Sequence, residues 1–165
     1  LAELQFHSAG FLSRPSLRDL LVRLRKNQGA WSGFPVYFYT KDSERVLYLI
    51  SGWQSVSAHE EWIASDKNQA LLQLFEPHVQ ITDFVHLDVE FGGILSGGEE
   101  MLSFWKSKGG AIHEKRCEVI GGDVEGKETK GEKYCFSHVD ADQSSVGEII
   151  QSCRRIDPNS KKSDH

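Results

Sequence analysis

Ser51-Gly52-Trp53-Gln54-Ser55-Val56-Ser57-Ala58-His59-Glu60-Glu61-Trp62-Ile63-Ala64-Ser65 reads as the junction of a strand and a helix. The run before it, Val46-Leu47-Tyr48-Leu49-Ile50, is apolar, aromatic and β-branched, the composition of a strand. Ser55 and Ser57 then offer side-chain oxygens to open a helix, and Glu60, three residues after Ser57, suits a capping box. Trp53, His59 and Trp62 place aromatic mass where the strand turns into the helix.

Working outward, residues 3–11 alternate as a first strand, with Leu4 and Phe6 on one face and Gln5, His7 and Ala9 on the other. Pro15 suits the first turn of a helix whose core stripe is Leu17, Leu20, Leu21 and Leu24, and Gly29 is its natural stop. Residues 35–40 and 46–50 form a hairpin around the polar loop 41–45. The helical region after Ser55 breaks near Ser65-Asp66 and resumes with Ala70, Leu71, Leu74 and Phe75 as its apolar face. Pro77 ends that segment, and a long strand follows over 79–91. The order βαββαβ is the ferredoxin-like motif, an α+β architecture complete within residues 1–91. Its antiparallel sheet carries helices on one face only, so the other face requires a cover.

Beyond Gly92-Gly93 the character changes. Gly97-Gly98 and Gly109-Gly110 bracket a predicted short helix with Met101, Leu102 and Trp105 as its apolar side. Residues 112–120 and 134–139 read as strands around a polar loop, 121–133. A last helix is predicted from Ser145, with Glu148 as capping partner and Val146, Ile149, Ile150 and Cys153 as its apolar face, stopped by Pro158. Residues 92–158 thus form a C-terminal extension, and 159–165 a disordered tail. No sequence repeat links the halves. The α, β, β, α order would nevertheless fit an eroded second ferredoxin-like unit, which would let a barrel close within one chain.

The length of 165 residues suits one domain, or one domain with an appendage. A formal charge of −5 argues against nucleic acid as a partner, because phosphate contacts need clustered Lys and Arg. The one basic cluster, Arg154-Arg155 with Lys161-Lys162, lies in a polar tail and reads as solvated. No apolar run approaches the ~20 residues that span a bilayer, so no membrane partner is expected. A start at Leu1 leaves room for a removed targeting segment. Cys117, Cys135 and Cys153 are odd in number and lack a CxxC pair, which suits buried thiols in a reduced, cytoplasmic protein.

No metal or nucleotide signature is present. His59-Glu60-Glu61-Trp62 lacks the second His of HExxH, and neither a P-loop nor GxGxxG occurs. Strand alternation offers more. Phe84, His86 and Asp88 oppose Val85, Leu87 and Val89, and the aliphatic face is expected to pack on the helices. His7 and His86 would then face the space between two sheets, together with Tyr37, Tyr39 and Tyr48. Trp53 and Trp62 would wall the same pocket. Such a lining suits a flat aromatic or polyketide-like ligand, with a His as proton acceptor. The plain alternative is that these side chains are hydrogen-bonded structural residues. His59, in a helix's first turn, reads as a cap or a surface contact, and His78 as a partner of a helix C-terminus.

The Trp53–Ser65 segment, with Trp-x-Ser-x-x-Ala-His, resembles the antibiotic biosynthesis monooxygenase family of dimeric α/β-barrel proteins. That resemblance implies two ferredoxin-like sheets packed face to face across a homodimer. It implies a cofactor-independent oxygenase that turns an anthrone-like aromatic or polyketide-derived molecule into a quinone by binding, desolvating and deprotonating it. Trp62 matches the helix Trp of the family. Haem-degrading relatives place an iron-ligating His ten residues later, and here that position is Leu72, so no haem is expected. On this reading His7 or His86 is the base; Tyr37, Tyr39, Tyr48, Trp53, Trp62, Phe84 and Asp88 bind substrate; and no cofactor or metal is needed. Cyclases and decarboxylases that use a Tyr/His pair occur on the same barrel, and a non-catalytic binding module is the third reading.

Overall fold

The computed structural model describes residues 1–40, 45–89, 101–107, 116–121, 133–137 and 151–159, and for most of the strand residues beyond 100 it describes the backbone path. The first half runs β1 (Ala2–Phe6), a 3-10 turn (Phe11–Ser13), α1 (Pro15–Ser32), β2 (Val36–Thr40), β3 (Val46–Ser51), α2 (Val56–Ala64), α3 (Asp66–Phe75) and β4 (Val79–Phe84). The strands pair antiparallel in the order β4-β1-β3-β2, the arrangement of a ferredoxin-like sheet.

Local chemistry sets these boundaries. Pro15 occupies the first turn of α1, where its missing N–H costs nothing, and Leu17, Leu21, Leu24 and Gln28 turn one stripe into the core. Gly29 does not stop the helix. The stop is Gly33, in the left-handed region at φ 77°, whose N–H returns to the Gly29 carbonyl at 3.0 Å. Gly29 serves a different need, because a Cβ there would meet the Phe34 carbonyl oxygen at 3.3 Å. The first strand ends at Phe6 instead of running to residue 11. Phe11 is buried in the following turn, its ring stacked on Phe6 at 3.7 Å.

Ser55 caps α2, its Oγ accepting the Ala58 N–H at 3.1 Å; Ser57 only exchanges a hydrogen bond with it, and Glu60 is exposed. Ser65 closes α2 and opens α3, donating to the Trp62 carbonyl (2.7 Å) and accepting the Asn68 N–H (3.2 Å). This shared serine sets the phase of α3. Asn68, Leu71 and Phe75 are therefore the buried positions, while Ala70 and Leu74, expected on the apolar face, are exposed. The core lies between helices and sheet: Leu4, Phe6, Val36, Phe38 and Leu47 against Leu17, Leu21, Leu24, Trp62, Leu71 and Phe75.

The second half contributes strands where helix was expected. After β5 (His86–Asp88) come β6 (Met101–Ser107), β7 (Arg116–Gly121), β8 (Lys133–Ser137) and β9 (Gln151–Ile156). Met101, Leu102 and Trp105 belong to a strand that pairs with both β8 and β9, and residues 151–156 are a strand instead of a helix end. Short apolar runs satisfy either period, and only non-local pairing decides between them. The rest of both expected helices, and the tail from 160, lie outside the described residues. β7 and β8 correspond to the expected strands over 112–120 and 134–139.

All described strands join one sheet in the order β4-β1-β3-β2-β9-β6-β8-β7-β5. Its two ends are successive stretches of chain parted by Val85 alone, so the order runs round to its starting point. The face away from the helices carries Glu3 and Tyr48, paired across β1 and β3, and Tyr37 and Tyr39, which pair with Ile50 and Tyr48. Tyr39 and Tyr48 are 1% and 3% exposed, so that face is covered as well. Arg155, opposite Tyr39 on β9, lays its guanidinium over the Tyr37 ring at 4.5 Å. Among the described residues no helix is long and apolar enough to cross a membrane.

Candidate functional site

The strand that ends in Phe84 resumes at His86, and both rings point at the first turn of α2. His59 Nδ1 lies 2.7 Å from His86 Nε2, the rings nearly perpendicular at 80°. Phe84 packs 5.2 Å from the His59 ring and 5.0 Å from that of His86. Trp53 stacks on His59 at 4.2 Å with 16° between planes. Trp53 is itself anchored: its indole N–H donates to Ser51 Oγ at 3.1 Å, and the same oxygen accepts from the buried Gln28 amide at 2.7 Å. Four rings thus converge from the strand end, the helix start and the β4–β5 junction.

The electrostatics follow from this enclosure. His59 is pushed down from 6.5 to about 3, first by burial, which disfavours the charged ring, and next by repulsion from a charge on His86. His59 is therefore neutral at pH 7. A short N-to-N contact between two imidazoles needs one proton between the nitrogens, and repulsion resists a second positive ring. If His59 donates from Nδ1, its Nε2 keeps a lone pair and can accept a proton from a bound molecule.

This arrangement corrects the expected site in several places. His86 does not face the space between sheets; it lies on the helix-covered side with Phe84, whose cross-strand partner Ala2 packs on the helix core. Alternation alone assigns the helix side to the aliphatic residues, but α2 offers His59 to the face of Phe84 and His86. His7 is exposed at the other end of the β1–β4 pair, held through its backbone by His78 (3.0 Å) and Arg45 (2.7 Å). From Val79, beside Phe6, the strand path to His86 is about 20 Å, so the two histidines cannot share a substrate atom. Trp62 is 2% exposed in the core beside Trp31, 5.7 Å away, and does not join the ring cluster.

Tyr37, Tyr39 and Tyr48 share one face of the sheet, the face opposite to that of Phe84 and His86. Asp88 pairs with Glu118 on β7; its side chain lies outside the described residues. Among the described residues no group of three or more His, Cys, Asp or Glu side chains is placed to hold a metal ion. The residue that sequence reading set aside is His59. A His in the first helical turn after an aromatic strand end was the available signal, but its partner lies 27 residues away. Comparison with known protein families, with curated proteins and with solved structures returns no match.

Proposed function

We propose that this chain is a small oxygenase related to the antibiotic biosynthesis monooxygenases, acting without a cofactor on an aromatic or polyketide-derived molecule. The observation that carries the reading is the His59–His86 contact of 2.7 Å inside a shell of Trp53 and Phe84. His86 orients the His59 ring and fixes its tautomer; His59 Nε2 takes the proton. A flat substrate stacks on the aromatic shell, which excludes water from the reacting carbon.

Burial keeps the His59 ring neutral, with a free lone pair, when substrate arrives. The ring stays neutral until the substrate anion forms beside it, and that anion then stabilises the imidazolium. In an anthrone-like substrate the CH2 carbon loses one proton to His59, and the resulting enolate reacts with dioxygen to form a C–O bond. The peroxide takes that proton back from His59, and loss of the remaining C–H proton with cleavage of the O–O bond releases water and leaves the carbonyl, so that CH2 and O2 give C=O and H2O. His59→Phe preserves the stack on Trp53 but has no basic nitrogen. Oxygen uptake with an anthrone substrate is expected to fall about 100-fold or more, the usual range for a general base, while His7→Ala keeps the wild-type rate. Undiminished uptake in His59→Phe removes the proposal. Turnover of the wild type that continues at the same rate without oxygen favours a cyclase, isomerase or decarboxylase at this site.

A further inference from the structure

We infer that strands β6 to β9 repeat the strand order of the first half and close the sheet into a barrel from within the chain, so that the barrel needs no second copy. The inference goes beyond the proposed activity and stands whether or not the pair is catalytic.

The strand order carries it. β9-β6-β8-β7 repeats β4-β1-β3-β2 when β6, β7, β8 and β9 are matched in sequence with β1, β2, β3 and β4. The two seams repeat as well. β9 pairs with β6 over 151–154 and passes on to β2 over 154–156, Arg154 facing both Met101 and Thr40. In the same way residues 79–84 pair with β1, and the chain then passes on through His86–Asp88 to β7. Each half lends the end of its last strand to the second strand of the other, which is the exchange that two copies would otherwise make. Side chains reinforce the β9 seam: Arg25 pairs with Asp157 at 3.1 Å, and the Arg18 guanidinium donates to the Pro158 carbonyl at 3.3 Å.

Two consequences follow for the site. In the sheet β5 has β7 as its neighbour, so the C-terminal unit fixes His86, which pairs with Gly121. Among the described residues the place of His86 holds no second histidine. His86 stands two residues beyond Phe84, the partner of Ala2; the matching place, two residues beyond Arg154, the partner of Met101, is Ile156.

The test introduces one cysteine pair at each seam in a full-length background carrying Cys117→Ser, Cys135→Ser and Cys153→Ser. Leu87→Cys with Val119→Cys, and separately Thr40→Cys with Arg154→Cys, place the new thiols on directly opposed residues, a spacing compatible with a disulfide. On mild oxidation of dilute folded protein, both pairs are expected to cross-link within one chain and migrate as monomer without reductant. Disulfide-linked dimers, or folded protein that forms no cross-link at either seam, would overturn the inference. Light scattering on the unmodified chain is a second reading: a mass near 18.6 kDa is expected, and twice that value counts against it.

Discussion

His59→Phe should change how stability depends on pH, because it replaces a half-buried titrating ring with one of similar shape. In the folded protein His59 takes up a proton only at about pH 3, whereas an unfolded chain does so near 6.5. Below 6.5 the unfolded state therefore binds a proton that the folded state refuses, and stability falls as pH drops toward 3. At about 1.4 kcal/mol per pH unit the full window amounts to about 5 kcal/mol. The ring is only half-buried, and solvent screening reduces this to roughly 2–3 kcal/mol. Urea unfolding at pH 7, 6, 5 and 4 measures it directly. The wild type should lose roughly 2 kcal/mol more than His59→Phe between pH 7 and 4, the carboxylates common to both cancelling in the difference. Parallel pH profiles for the two proteins would refute the burial and charge argument for His59.

Three further substitutions probe the scaffold around the site. Trp62→Ala empties a position that is 2% exposed between helices and sheet, and should cost about 3–5 kcal/mol in denaturant unfolding. Ser51→Ala removes the acceptor shared by Gln28 and the Trp53 indole, at an expected cost of about 1–3 kcal/mol, and Trp53 fluorescence should shift as its ring loosens. Ser65→Ala deletes the N-cap of α3 and the bond to the Trp62 carbonyl, for about 1 kcal/mol by thermal unfolding.

The first half of the chain was legible where signals are local. The Leu17–Leu24 stripe, the Ser55 cap, the break at Ser65 and the hairpin strands each occupy a few consecutive residues, and the structure follows them, while the expected capping box of Ser57 and Glu60 does not form. The face each residue takes was legible for the tyrosines, because Tyr37 and Tyr39, and Tyr48 with Val46 and Ile50, follow simple alternation. It was misread for Phe84 and His86, whose helix-side face meets a histidine. The helices expected at Met101–Trp105 and around Cys153 failed for a related reason. Seven- and six-residue strands hold too few apolar positions to separate a period of two from one of 3.6. The His59–His86 contact joins a helix start to a strand that β7 holds in place, and no window of sequence contains all three.

The most direct test mixes the protein with an anthrone substrate in the absence of oxygen and follows the enolate absorbance, then admits oxygen. Wild type should form the enolate anaerobically and yield quinone only once oxygen enters, while His59→Phe should form neither at a comparable rate. Equal enolate formation by His59→Phe, or none by the wild type, would contradict the role given to the His59–His86 pair.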